Sequence, residues 1–144
     1  MSLLRERQET WIADYTLLGN PLDRLAAIVD RAARSRDLAP EDHADEHLVP
    51  GCTSRVWVTG TCPDGRCRFR GDAESPVLKG LVLLLTEFYS GASPEEVIAV
   101  EPDFLDRLHL TDRLTPTRRH GLAKVRERLV HLARSFLPPS PPQT

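Results

Sequence analysis

The strongest nucleophiles and soft metal ligands in this chain are three cysteines, joined by five histidines. Cys52 stands in "VPGCTSRVW", residues 49 to 57, after a glycine and just before a strand-like run; Cys62 and Cys67 follow in "TCPDGRC". Metal, disulfide and nucleophile are all open to such a set. With one of His43 or His47, the three thiols supply four ligands suited to zinc. The spacing argues against it: nine residues separate Cys52 from Cys62, and Cys62 and Cys67 enclose four rather than the two of a zinc knuckle. If "PDGR" is a hairpin turn, Cys62 and Cys67 face each other across two strands. A cross-strand disulfide is then sterically open, but thiols in the cytoplasm stay mostly reduced. The simplest reading of that pair is two small hydrophobes at a strand end. Cys52 differs, because Gly51 lets a backbone or a partner come close. An adjacent arginine would favour its thiolate, and the acids at 41 to 46 would disfavour it. The histidines at 43, 47, 109, 120 and 131 hold no ligand-spaced pair except His43 and His47, and are expected at the surface.

The elements that must position these groups follow from periodicity. Trp11, Ile12, Tyr15 and Leu18 share a helical face. After "GNP", Asn20 caps and Pro21 begins a second helix with a stripe of Leu22, Leu25, Ile28, Val29 and Ala32, its charges on the other side. Residues 37 to 47 lose the period and read as an acidic surface loop. "SRVWVTGTC" alternates, with Val56 and Val58 on one face and Trp57 on the other, and "RCRFRGD" returns as a second strand. A third strand is admissible near 48 to 52. Residues 75 to 91 are apolar nearly all round and read as a buried helix ended by Gly91. "SPEE" at 93 to 96 is a capping box in which Glu96 reaches back to its own cap. A short helix near Phe104 to Leu108 precedes a last one capped by Thr115, with the stripe Leu122, Val125, Leu129, Leu132 and Phe136. The expected class is α+β: one domain over 1–137, a small antiparallel sheet with helices on one side, and a loose Pro-rich tail at 138–144.

Composition narrows the function. The 144 residues are 40% hydrophobic and 28% charged, ordinary for a folded domain with its own core. Nineteen Lys and Arg against 21 Asp and Glu leave a net charge of -2, without the basic stripe of a nucleic-acid binder. No apolar run nears the roughly 18 residues of a membrane span, and no signal-peptide pattern opens the chain. The expected compartment is the cytoplasm.

"GCTSRVW" resembles the GCxSxVW signature of the SufE/CsdE family of sulfur acceptors, which partner cysteine desulfurases. "RGDAESPVLKGLVLLLTEFYSGASPEEV" and "LTPTRRHGL" resemble two further family motifs in the same order, and the similarity runs from about residue 13 to 133. "NPLDR" departs from the aromatic residue common before the family's Asp-Arg pair, and Cys62 and Cys67 are additions. The resemblance implies that Cys52 takes persulfide sulfur from a desulfurase and passes it to a downstream Fe–S scaffold, stimulating the desulfurase rather than acting as a stand-alone enzyme. It implies no cofactor of the chain's own, pyridoxal phosphate being the partner's. It further implies a hinge role for Gly51 and a loop-positioning role for Asp72. Arg118 would pair with Asp72 or contact the desulfurase, against the plainer reading of a solvated arginine. Lys79 would lie at the partner surface or snorkel to solvent. A homodimer is compatible with the sequence. Two other readings remain: an Fe–S or zinc scaffold using Cys52, Cys62 and Cys67, and a small thiol enzyme, ranked last for want of a CxxC or Cys/His pair.

Overall fold

The computed structural model describes residues 2–35, 38–52 and 54–139. The described residues form six helices and one hairpin: α1 (Leu3–Thr16), α2 (Pro21–Ala33), β1 (Val56–Thr61), β2 (Arg68–Ala73), α3 (Pro76–Tyr89), α4 (Pro94–Ala99), α5 (Phe104–Arg107) and α6 (Pro116–Phe136). The chain is therefore a single α+β domain whose sheet has two antiparallel strands. Ser140 and the rest of the expected tail lie outside the described residues.

Local signals placed most boundaries where expected. Asn20 Oδ1 accepts from the Leu22 N–H at 2.8 Å, and Thr115 Oγ1 accepts from the Arg118 N–H at 3.2 Å. Each satisfies one of the donors a helix start leaves unpaired. Asp64, at φ 55°, turns the chain between the strands; a short polar side chain tolerates that left-handed backbone better than most.

The register pairs Val56 with Ala73, Val58 with Gly71 and Gly60 with Phe69 on one face, and Trp57 with Asp72 and Thr59 with Arg70 on the other. The first face is apolar and buried under α3 and α6: Val56, Val58, Phe69, Leu81, Leu85, Val125 and Leu129 belong to one core. The second face is covered near Trp57 and Asp72 by residues 38–49. That segment makes two 3-10 turns, Pro40–Asp42 and Asp45–His47, before Leu48 bridges to Trp57. The third strand near 48 to 52 is thus reduced to this bridge and the Val49 N–H to Val56 O bond of 2.8 Å.

Three local expectations are corrected. Leu18 lies past the end of α1 and is exposed, as is Leu22. On α2 it is Arg24 that is buried, because its guanidinium donates to Leu18 O (2.7 Å) and Leu108 O (3.0 Å), two carbonyls at segment ends. Glu96 does not reach back to its own cap. Its carboxylate accepts from the Ser2 hydroxyl and the Leu4 N–H, so it caps α1 from across the fold.

Candidate functional site

The loop leaving the 38–49 segment carries Gly51 and Cys52 onto the side of α6. Gly51 has φ +85°, a conformation that costs an L-residue with a side chain roughly 1–2 kcal/mol. A Cβ there would meet Lys124 Cε at 3.3 Å, so the turn lies against the lysine's aliphatic stem. One residue on, the half-buried Cys52 Sγ lies 3.7 Å from the carbonyl oxygen of Gly121. Gly121 gives α6 a flat spot in its second turn, where an added Cβ would already stand 3.5 Å from the sulfur. The thiol is folded inward, held between a glycine turn and a glycine on a helix.

Burial pushes the Cys52 thiol up from its ordinary value, and the Lys124 ammonium pulls it partly back. Arg118 lies three residues before Gly121 and Lys124 three after it on α6; of the two, Lys124 is the cation that packs against the Gly51 turn and acts on the sulfur. Arg128, a turn further, donates to Glu46 O at 3.3 Å and ties α6 to the covering segment. A cleft of about 380 Å³ opens beside this loop, lined by Pro50, Gly51, Lys124, Glu127, Arg128 and His131. The larger cleft, about 840 Å³, lies between α6 and residues 98–111 with Arg119, Arg126 and Glu101 on its walls, and Cys52 is not part of it.

Behind the loop stands a polar network built on β2. Asp72 is buried; its Oδ2 lies 2.8 Å from His43 Nε2, and its Oδ1 accepts from the Ala73 N–H at 2.8 Å. Lys79 Nζ, on α3, lies 3.5 Å from the same Oδ1. The His43 ring stands edge-on to Trp57, centroids 4.7 Å apart. Asp42 adds an ion pair to Arg70 at 3.3 Å. Together these contacts fasten the segment that feeds the Cys52 loop to the outer face of the hairpin.

Several sequence expectations change here. His43 is a half-buried partner of Asp72 rather than a surface histidine. Lys79 points to Asp72 instead of snorkelling away. Among the described residues, the charged partners of Asp72 are His43 and Lys79; the exposed Arg118 is not one of them. Sequence reasoning missed Gly121 and Lys124, and weighed His43 only as a zinc ligand or a surface histidine, not as the partner of Asp72. Gly121 had a signal in "LTPTRRHGL", where it is the glycine inside a helical pattern, and such a glycine marks a close approach.

Cys62 and Cys67 continue the strand register past Thr61 and Arg68, as the spacing predicts, and both are free thiols. Six residues of β1 at about 3.3 Å each put them roughly 20 Å beyond the end that carries Cys52. The three thiols therefore do not converge on one ion, and among the described residues no three His, Cys, Asp or Glu side chains are grouped to hold a metal. Among those residues, too, no helix is long and apolar enough to cross a membrane.

The site is that of a one-domain α+β protein with a single thiol on a loop that turns at a glycine and lies on a helix beside a lysine. Residues 9–133 match the SufE family, described as an Fe–S metabolism associated domain, and the chain belongs to that family. An uncharacterised SufE-like protein of Synechocystis is 34% identical over 106 residues, which are 74% of this chain and 67% of that one. A solution structure of a hypothetical protein from Thermus thermophilus superposes with a TM-score of 0.72 at 25% identity, covering 89% of this chain and 93% of the other. The protein's role lies in Fe–S metabolism.

Proposed function

We propose that the protein is a sulfur carrier that accepts persulfide sulfur on Cys52 from a cysteine desulfurase, accelerates that enzyme by unloading it, and passes the sulfur on for Fe–S cluster assembly in the cytoplasm. The observation that carries this reading is the seat of Cys52: a thiol on a loop that turns at Gly51, lying on Gly121, with Lys124 beside it. In the transfer, the Cys52 thiolate attacks the outer sulfur of the donor persulfide. A new S–S bond forms on Cys52, the donor S–S bond breaks, and the donor cysteine leaves as thiolate. This is thiol–disulfide exchange, which needs an ionised and accessible attacking thiol and no cofactor in the acceptor. The loop provides access by moving out, and its retracted pose shields a reactive product from water and reductants. Arg118, exposed and permanently charged, suits recognition of carboxylates on the desulfurase surface.

The test is desulfurase turnover against acceptor concentration for wild type, Cys52→Ser and Arg118→Ala, with mass spectrometry of the acceptor and circular dichroism as fold control. Wild type should accelerate turnover and gain one sulfur on the Cys52 peptide. Cys52→Ser should fail to accelerate, and Arg118→Ala should need a higher concentration while remaining folded. Sulfur on the Cys62 or Cys67 peptides with Cys52 clean, or full stimulation by Cys52→Ser, would overturn the reading.

A further inference from the structure

The far end of the hairpin holds a second pair of thiols that the sulfur-carrier reading does not use. In the antiparallel register, residue numbers of partners sum to a constant from Val56↔Ala73 to Thr61↔Arg68, and the next pair is Cys62 with Cys67. The backbone of Cys67 turns away from β1: its N–H donates to Ala92 O at 2.7 Å, and its carbonyl accepts from the Gly91 N–H at 2.7 Å. Cys62 and Cys67 are therefore a non-hydrogen-bonded pair, in which opposed Cα atoms approach to about 4.5 Å and side chains stand closest. That separation lies within the range a disulfide spans, roughly 4.4–6.8 Å. Both residues fall at the even and odd positions that face the core side, in line with Val58 and Gly60 on one strand and Phe69 and Gly71 on the other. Their surroundings differ. Cys67 is fully buried, whereas Cys62 is half-buried, next to Pro63 in the turn.

We propose that Cys62 and Cys67 form a dithiol site, separate from Cys52, which a low-molecular-weight disulfide oxidises to an intramolecular cross-strand bond. The half-buried Cys62 thiolate attacks one sulfur of the small disulfide; that S–S bond breaks and one small thiolate leaves. Cys67 then gives up its proton and attacks the Cys62 sulfur, and the second small thiolate leaves. The protein dithiol has lost two electrons and two protons, and one small disulfide has become two thiols. The order of attack follows from burial. Cys67 is shielded from any molecule in solution, and desolvation followed by the neighbouring Cys62 holds its thiol well above the ordinary range. Capping Cys62 removes the second of those influences and places the sulfur to be attacked opposite Cys67. Because about 20 Å of strand intervenes, Cys52 is left out of the bond.

The experiment uses the Cys52→Ser protein, which keeps both hairpin thiols, with glutathione disulfide as the oxidant. Intact mass should fall by two hydrogens, both thiols should be lost to alkylation, and trypsin should release residues 56–66 joined to residues 67–68. Reduced glutathione should reverse all three. In wild type the same linked peptide should form, with Cys52 carrying a separate glutathione or remaining alkylatable. A Cys67→Ser change in the Cys52→Ser background should trap one glutathione on Cys62, and a Cys62→Ser change should leave the chain unmodified while folded. A lasting glutathione on Cys62 of the two-thiol protein would overturn the proposal. So would oxidation only in denaturant, or a linked peptide joining Cys52 to either hairpin cysteine.

Discussion

Replacing Gly51 by alanine tests whether the retracted pose of Cys52 depends on a left-handed turn. At φ +85° an alanine is strained by about 1–2 kcal/mol, and its Cβ also meets Lys124 Cε at 3.3 Å. The second contact is with the far part of a flexible side chain, which can shift by a few tenths of an ångström. The strain therefore sets the magnitude. It acts on the retracted loop and is relieved when the loop swings out, so the extended population should rise about 5- to 30-fold. The assay is the rate of Cys52 alkylation by iodoacetamide in a Cys62→Ser/Cys67→Ser background, followed by mass. A gain of that size is expected for Gly51→Ala, with the far-ultraviolet circular dichroism unchanged. Gly51→Asn is the control, since asparagine tolerates left-handed backbone while presenting the same Cβ to Lys124. It should react close to the glycine protein. Equal rates for Gly51 and Gly51→Ala would show that the turn does not hold the thiol in. Equal acceleration by alanine and asparagine would assign the effect to the Lys124 contact and refute the strain argument.

Two further outcomes test the electrostatics around the loop. Lys124→Met keeps the aliphatic stem against Gly51 but removes the charge that lowers the Cys52 pKa, so the alkylation-against-pH curve should move to higher pH. Below the midpoint the variant should react more slowly, and at high pH the rates should converge; no shift, or a shift to lower pH, would refute the assignment. Asp72→Asn removes the negative charge shared by His43 and Lys79, and should lower stability by about 1–3 kcal/mol in urea unfolding, since a buried group loses charge-assisted hydrogen bonds. An unchanged midpoint would mean that the network carries no net stability.

What the sequence disclosed and what it hid divide by the range of the interaction. Asn20, Thr115 and the "PDG" turn act within three residues of themselves, and their helix and hairpin boundaries were readable from type and spacing. The alternation of Val56, Trp57 and Val58 fixed the faces of β1 and, through the turn, the opposition of Cys62 and Cys67. The candidate site is different. Asp72 and His43 are separated by 29 residues, and Cys52 and Gly121 by 69. No local pattern reports that a histidine in an acidic loop will fold over Trp57, or that a helical glycine will receive a sulfur. Arg24 and Glu96 were misplaced for the same reason. Each serves a backbone end belonging to another element, so a charge assigned to solvent or to its own cap was drawn elsewhere by orphan carbonyl or N–H groups.

The pose of Cys52 combines two demands that oppose each other. Exchange needs a thiolate, and desolvation in the retracted pose raises the sulfur's pKa above its ordinary value. The compensating charge, Lys124, is not on the loop but on α6, against the Gly51 turn. Moving out therefore changes both influences: the sulfur regains water, which favours ionisation, and it leaves the lysine, which opposes it. Desolvation is the larger cause, so extension lowers the thiol's pKa on balance. In the proposed transfer, reactivity is thus coupled to position: the thiolate fraction is lowest while the sulfur lies on Gly121 and rises as it reaches outward. A partner that binds the extended loop meets a thiol whose ionised fraction is larger than in the retracted pose. In that proposal the Gly51 turn sets both access and the ionised fraction of the thiol, which ties its alkylation phenotype to the proposed rate of sulfur transfer.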